Sequence, residues 1–201
     1  MKTFSSILIF VGAAILLLIY WPIIKEEVKY GFDQMTHVRY SLDTEVEGSF
    51  DKSLVVPNTD FSIAIPKIAA VAPIIDDVDP LNKIEYLRAL REGVAHAKET
   101  AYPGEKGNVY IFAHSTDAFY NVGKYNAVFY LLGKLSKGDD VFIYYRGSKI
   151  KYVVNEVKVV SPDEVKYLTE STAENTLTLQ TCYPPGTTIN RLVVIANEAH
   201  F

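Results

Sequence analysis

The chain has 201 residues, 49% hydrophobic and 22% charged, enough for one domain of ordinary size with an appendage and a composition suited to a packed core. A formal net charge of -4, with no basic stripe, argues against a nucleic-acid partner. The single cysteine, Cys182, excludes an intramolecular disulfide and any cysteine-rich zinc site, leaving one free thiol that needs a reason to be there outside the cytosol.

Residues 4–24 carry no charge, and a helix of that length at about 1.5 Å per residue spans a hydrocarbon core of roughly 30 Å. Tyr20 and Trp21 stand at its end, where amphipathic rings favour the lipid–water boundary. Tyr20-Trp21-Pro22 is unlike the small-residue cut site of a signal peptide, so the expectation is an uncleaved transmembrane anchor over 1–24. Its orientation is not set by charge, because Lys2 and the amino terminus oppose Lys25, Lys29 and Arg39, which by themselves lean the wrong way for an exported domain. Residues 25–56 mix charges and aromatics without a core period and read as a juxtamembrane stalk, helical near the bilayer, with His37 solvated.

From there to the end, 57–201, the character is short β-rich runs: 61–65, 69–75, 109–113, 141–145, 150–160, 176–181 and 191–197. Turn signals separate most of them, which predicts a mainly β domain, an antiparallel or mixed barrel or sandwich. Within 150–160 the apolar face holds Ile150, Tyr152 and Val154 and then switches to Val157 and Val159, a phase slip that predicts a bulge. Helices are few. Residues 81–93 set Ile84, Leu87 and Leu90 to one side before Gly93, 126–135 present Phe129, Leu132 and Leu135, and Ser161-Pro162-Asp163-Glu164 has the spacing of a capping box with proline at the first helical position.

The segment that organises the rest is 176–197, two adjacent predicted strands joined by a Pro-Pro-Gly turn. Cys182 ends the first and Arg191 opens the second, so the turn sets a sulfur beside a guanidinium. A thiolate is a strong nucleophile, and a cationic, partly exposed setting is what lets it form near neutral pH. By residue type alone a lone cysteine is more often a small buried hydrophobe, with Arg191 then a solvated strand end. His114 ends the run Asn108-Val109-Tyr110-Ile111-Phe112-Ala113-His114, at a position like the rim of a barrel, where side chains leave the core.

Taken together these stretches resemble the sortase family. Thr178-Leu179-Gln180-Thr181-Cys182 matches its T-L-x-T-C signature, with Arg191 at the head of the following strand and His114 upstream in the run that begins Pro103-Gly104-Glu105-Lys106-Gly107-Asn108. Ile65-Pro66-Lys67-Ile68 is similar to the family's entry strand and Gly138-Asp139 to its turn before a strand, so the likeness covers about 61–197. Ala113 departs from the glycine that many members carry before the histidine, which touches only details of the pocket.

The resemblance implies a closed β-barrel and a membrane-anchored cysteine transpeptidase that cuts an LPXTG-type sorting signal between threonine and glycine. Cys182 is then the nucleophile, His114 the general acid and base, and Arg191 the holder of the oxyanion, with Thr181, Tyr183 and Ala113 bordering the substrate. Sorting-signal proteins are the implied acyl donors and a peptidoglycan precursor or a pilin amine the acceptor. The anchor, 4–24, lies in the bilayer and the catalytic domain faces outward. Cell-wall anchoring is favoured over pilin polymerisation, because 25–56 lacks an Asp-Pro-aromatic plug and the sequence ends at Phe201 without a second apolar span. The alternative of another class is a tethered binding module that does no chemistry. A papain-like hydrolase lacks its cysteine signature. No cofactor is expected. Asp76, Asp77 and Asp79 lack ordered calcium-ligand spacing and read as a solvated acidic turn, and His96 as structural.

Overall fold

The computed structural model describes residues 2–42, 51–116, 125, 127–169 and 172–199. The first element, α1 (Lys2–Met35), contains the whole apolar run and continues well into the expected stalk. Among the described residues no single helix is long and apolar enough to cross a membrane. The segments Ile9–Trp21 and Ile24–Met35 meet that test only together, and they are bent by 63° at a break that contains Pro22, which has no amide proton to donate.

The second of these segments lies against the rest of the protein. Tyr30 packs on the hydrophobic core, Glu27 pairs with Lys134 at 3.3 Å, and the carboxylate of buried Asp33 accepts from Tyr40 at 2.6 Å and from Lys52 at 3.2 Å. Lys52 and Tyr40 belong to a parallel two-stranded sheet of β1 (Arg39–Ser41) and β2 (Asp51–Ser53).

The remaining strands are β3 (Phe61–Ile65), β4 (Ala70–Val78), β5 (Val94–Ala97), β6 (Gly107–Phe112), β7 (Asp140–Tyr145), β8 (Ser148–Val160), β9 (Asn175–Tyr183) and β10 (Asn190–Glu198). They close into a barrel in the order β10-β8-β7-β3-β4-β5-β6-β9, with β9 hydrogen-bonded back to β10. The pairs β4–β5 and β6–β9 are parallel and the others antiparallel. Period-two alternation fills the interior with Ile63, Ile65, Val109, Ile111, Val141, Ile143, Leu177, Leu179, Leu192 and Val194. Burying each such side chain contributes about 1.5–3 kcal/mol relative to leaving it in water.

The expected bulge is present. Ile195 pairs with Glu156 and Ala196 with Val154, which leaves Asn155 as the extra residue on β8.

Two expectations about the helices need correction, and the single turn expected at Ser161 is present. Helix α2 (Lys83–Glu92) starts at Asn82, whose side chain accepts from the Glu85 amide. It buries Ala89 and Leu90 but leaves Ile84 86% exposed. The helix is pressed onto the barrel at its C-terminal end, where a Cβ on Gly93 would stand 2.2 Å from the Pro73 carbonyl oxygen, so its first turn clears the sheet. The segment 126–135 forms a tight 3₁₀ helix over Tyr130–Lys134, with Asn126 outside the described residues. Phe129, Leu131, Leu132 and Leu135 are nonetheless buried, so packing of closely spaced apolar residues replaces the regular α stripe. The capping-box stretch is a turn closed by Glu164 N–H donating to Ser161 O, and the short helix α3 begins only at Lys166 (Lys166–Thr169).

Strand β5 carries no strong alternation and was not expected. It exists because α2 returns the chain beside β4, and it buries all of Val94, Ala95, His96 and Ala97.

Candidate active site

The site is built by three neighbouring strands, β6, β9 and β10. On β10 the register partner of Cys182 is Arg191, and cross-strand partners project from the same face of a sheet. β6 runs parallel to β9 with Phe112 opposite Gln180, and beyond that pair the Ala113 amide still donates to Gln180 O at 3.1 Å. Ala113, Thr181 and Leu192 are buried on the barrel side, so Cys182 and Arg191 share the outward side, and His114 follows two residues after the end of β6.

Exposure fits this placement, because Cys182 and His114 are partly buried at a strand end. The Arg191 guanidinium is held by its own loop, Nη1 donating to Thr188 O at 3.2 Å and Asn190 O at 3.1 Å. Tyr110, on the same outward side, donates its hydroxyl to Gln180 Oε1. Burial pushes the Tyr110 phenol upward, and the nearby Arg191 cation opposes that rise.

Two further contacts fasten the loops. Gly186, in the turn between β9 and β10, has φ +79° and donates its amide to Ser115 Oγ at 3.3 Å, which ties the turn after the cysteine to the residue after the histidine. The Thr181 hydroxyl donates to Ala113 O at 2.9 Å, so both residues knit β9 to β6, and Thr181 also lines the cleft beside Cys182. Tyr183, partly exposed, lines that cleft as well, whereas Ala113 faces the core.

This cleft, of about 280 Å³, is bounded by Thr181, Cys182, Tyr183, Pro185 and Leu192 on one side and by Tyr130, Gly133, Lys134 and Glu27 on the other. Sequence reasoning missed the second wall. Glu27 lies far away in the chain, and only the docking of α1 brings it in, with Tyr130 donating to its carboxylate at 3.2 Å. Burial, then the Glu27 carboxylate, pushes the Tyr130 hydroxyl up to about 12, so it stays a donor at neutral pH.

His96 is buried, at 1% exposure, with Nδ1 3.0 Å from Asp76 and Nε2 3.0 Å from both Ala101 O and Thr100 Oγ1. It braces β5 against the loop that follows. Among the described residues no group of three or more His, Cys, Asp or Glu side chains could hold a metal ion. His200 lies outside the described residues.

Comparison with known proteins agrees with this architecture. The sortase domain family matches residues 63–199. Sortase D of Bacillus subtilis is 30% identical over 122 residues, 61% of this chain and 53% of that protein, so the match spans about half of that relative's length. Two solved structures share the fold. The Clostridium perfringens Sortase D5 transpeptidase has a TM-score of 0.57 at 28% identity, covering 70% of this chain and 79% of its own. Sortase C-1 of Actinomyces oris has a TM-score of 0.58 at 29% identity, covering 70% and 73%. With the family model spanning the barrel from β3 to the end of β10, the chain belongs to the sortase family.

Proposed function

We propose that this chain is a cysteine transpeptidase that cleaves an LPXTG-type sorting signal between threonine and glycine and passes the acyl group to an amine. The observation that carries the reading is the register that sets Arg191 directly opposite Cys182 on β10 and β9, beside the β6 strand that leads to His114.

The Cys182 sulfur attacks the threonine carbonyl. The C–N bond to glycine breaks, and a thioester divides one difficult acyl transfer into two easier ones. His114 gives its proton to the departing glycine amine and takes one from the incoming amine. Arg191 donates to the oxyanion that develops at the threonine carbonyl, a role worth about 3–4 kcal/mol per donor in acyl-transfer enzymes. A planar guanidinium keeps two donors at fixed angles, which an ammonium does not.

The apolar part of α1 is the membrane anchor in this reading, with 4–24 in the bilayer, 25–56 as the connecting stalk and 57–201 as the catalytic barrel on the outer side. The uncharged run and its terminal Tyr20 and Trp21 support it. The acceptor is a peptidoglycan precursor in the anchoring role favoured here and a pilin lysine in the polymerising one.

The test is incubation of the full-length protein with pentapeptide libraries and several amines, read by mass. A thioester adduct on Cys182 and an amide product are expected. A protein that never acylates, and whose Cys182 resists a thiol-specific electrophile at neutral pH, would instead be a tethered binding module.

A further inference from the structure

The Arg191 side chain is long and flexible, so the place of its backbone on β10 does not fix where the guanidinium goes. Its Nη1 donates to Thr188 O at 3.2 Å and to Asn190 O at 3.1 Å, and both carbonyls belong to the turn between β9 and β10. The guanidinium is placed only as well as that turn is placed.

Within the turn the Thr187 amide and hydroxyl both donate to Pro184 O, at 3.0 and 2.8 Å, and Gly186 takes a left-handed φ of +79°. These features shape the turn but do not locate it against the barrel. Among the described residues, the hydrogen bond that ties 184–189 to a segment outside the β9–β10 hairpin runs from the Gly186 amide to Ser115 Oγ, 3.3 Å away. Ser115 is 2% exposed, so little water competes for that bond. Packing there is close as well, since a Cβ on Gly186 would stand 3.3 Å from Thr116 Oγ1. Ser115 directly follows His114, so one hydroxyl joins the segment that carries the imidazole to the turn that aims the guanidinium.

We infer that Ser115 is a positioning residue for acyl transfer: by holding Gly186 it sets the turn, and through Thr188 O and Asn190 O the turn sets Arg191. The inference rests on the transpeptidase reading above and adds to it a residue that acts through another. In that reading Arg191 meets charge that develops at the threonine carbonyl only as the sulfur attacks. A displaced guanidinium should therefore slow the chemical step and leave peptide binding unchanged.

The test is steady-state turnover of an LPXTG-type peptide by the full-length protein with an amine acceptor, read by mass. Ser115→Ala removes the oxygen that accepts from Gly186 and little else. It should lower kcat about ten-fold, less than the roughly 10²-fold that a misplacement of about 1 Å can cost, with KM within about two-fold of the parent. The decisive comparison is the same substitution in an Arg191→Ala background, where it should cost less than about two-fold because the group it positions is gone. A merely structural role would cost the same factor in both backgrounds and lower the melting temperature with it. Equal costs, a kcat for Ser115→Ala equal to the parent's, or a loss carried by KM overturns the inference while leaving the transpeptidase intact. A parent protein that forms no amide product takes down the transpeptidase reading and this inference together.

Discussion

Among the described residues the docked half of α1 borders a larger groove and a smaller cleft, and the cysteine sulfur lies at the smaller. A groove of about 580 Å³ runs between α1, β1 and the turn Pro66–Ile68, while the cleft at Cys182 has about 280 Å³. Some of the charged groups that line the large groove have partners. Lys67 pairs with Asp139 at 3.1 Å, and Asp33 is held by Tyr40 and Lys52. The small cleft has a sulfur on one wall and a half-exposed, exchangeable ion pair on the other. Volume measures how loosely elements meet, whereas a site needs groups whose bonding capacity is still available to a substrate.

Substitutions can break that contrast or sharpen it. Cys182→Ala should abolish acyl transfer from an LPXTG-type peptide while leaving the melting temperature within a few degrees; residual activity above a few per cent of the parent would remove the sulfur from its role. Arg191→Lys should cost about 10²–10³ in kcat with little change in stability, measured as steady-state turnover, and near-normal turnover would assign the oxyanion to other donors.

On the large-groove side the effects should fall on stability alone. Asp33→Asn should destabilise by about 1–3 kcal/mol, read as a drop in melting temperature at pH 7, with kcat/KM for the peptide unaffected. Burial raises the Asp33 carboxyl, but the Tyr40 hydroxyl and the Lys52 and Lys29 cations together hold it below its ordinary 3.8. A depressed carboxylate stabilises the fold above that ordinary value, and the benefit is lost as pH falls through the lower folded value. The gap between parent and Asp33→Asn should therefore close in acid below 3.8. A gap that widens there would reverse the assignment.

Thr181→Val, which removes the tie from β9 to Ala113 O, should cost about 1 kcal/mol, or about 2–4 °C in melting temperature. Smallest is Ile84→Ala. With that side chain in solvent it should change stability by less than about 0.5 kcal/mol, whereas Leu90→Ala on the buried face should cost about 2–5 kcal/mol by thermal denaturation.

Legibility in the sequence varied with the range of the interaction that decides each feature. β9 and β10 were readable because Leu177, Leu179, Val193 and Val194 flank a turn marked by Pro184, Pro185 and Gly186, all within one hairpin. The bulge at Asn155 announced itself as a slipped alternation on a single strand. β5 did not, because its strand character comes from neighbours on both sides and not from its own pattern. Ile84 misled for the same reason: helical spacing tells which residues share a stripe, but the angle at which the helix meets the sheet decides how much of that stripe is covered.

By itself the sequence determined the barrel strands other than β5, the turn that sets Cys182 against Arg191, and the β6 run that leads to the histidine. Each follows from period-two patterning and local turn chemistry, which act over a few residues. Only the tertiary structure decided that β6, which leads to His114, runs parallel beside β9, which carries Cys182, since that needs the register of two strands far apart in the chain. It alone also brought Glu27 to the wall facing the sulfur. Contacts between distant segments depend on how whole elements pack, and no local pattern encodes the angle at which a helix returns to a barrel.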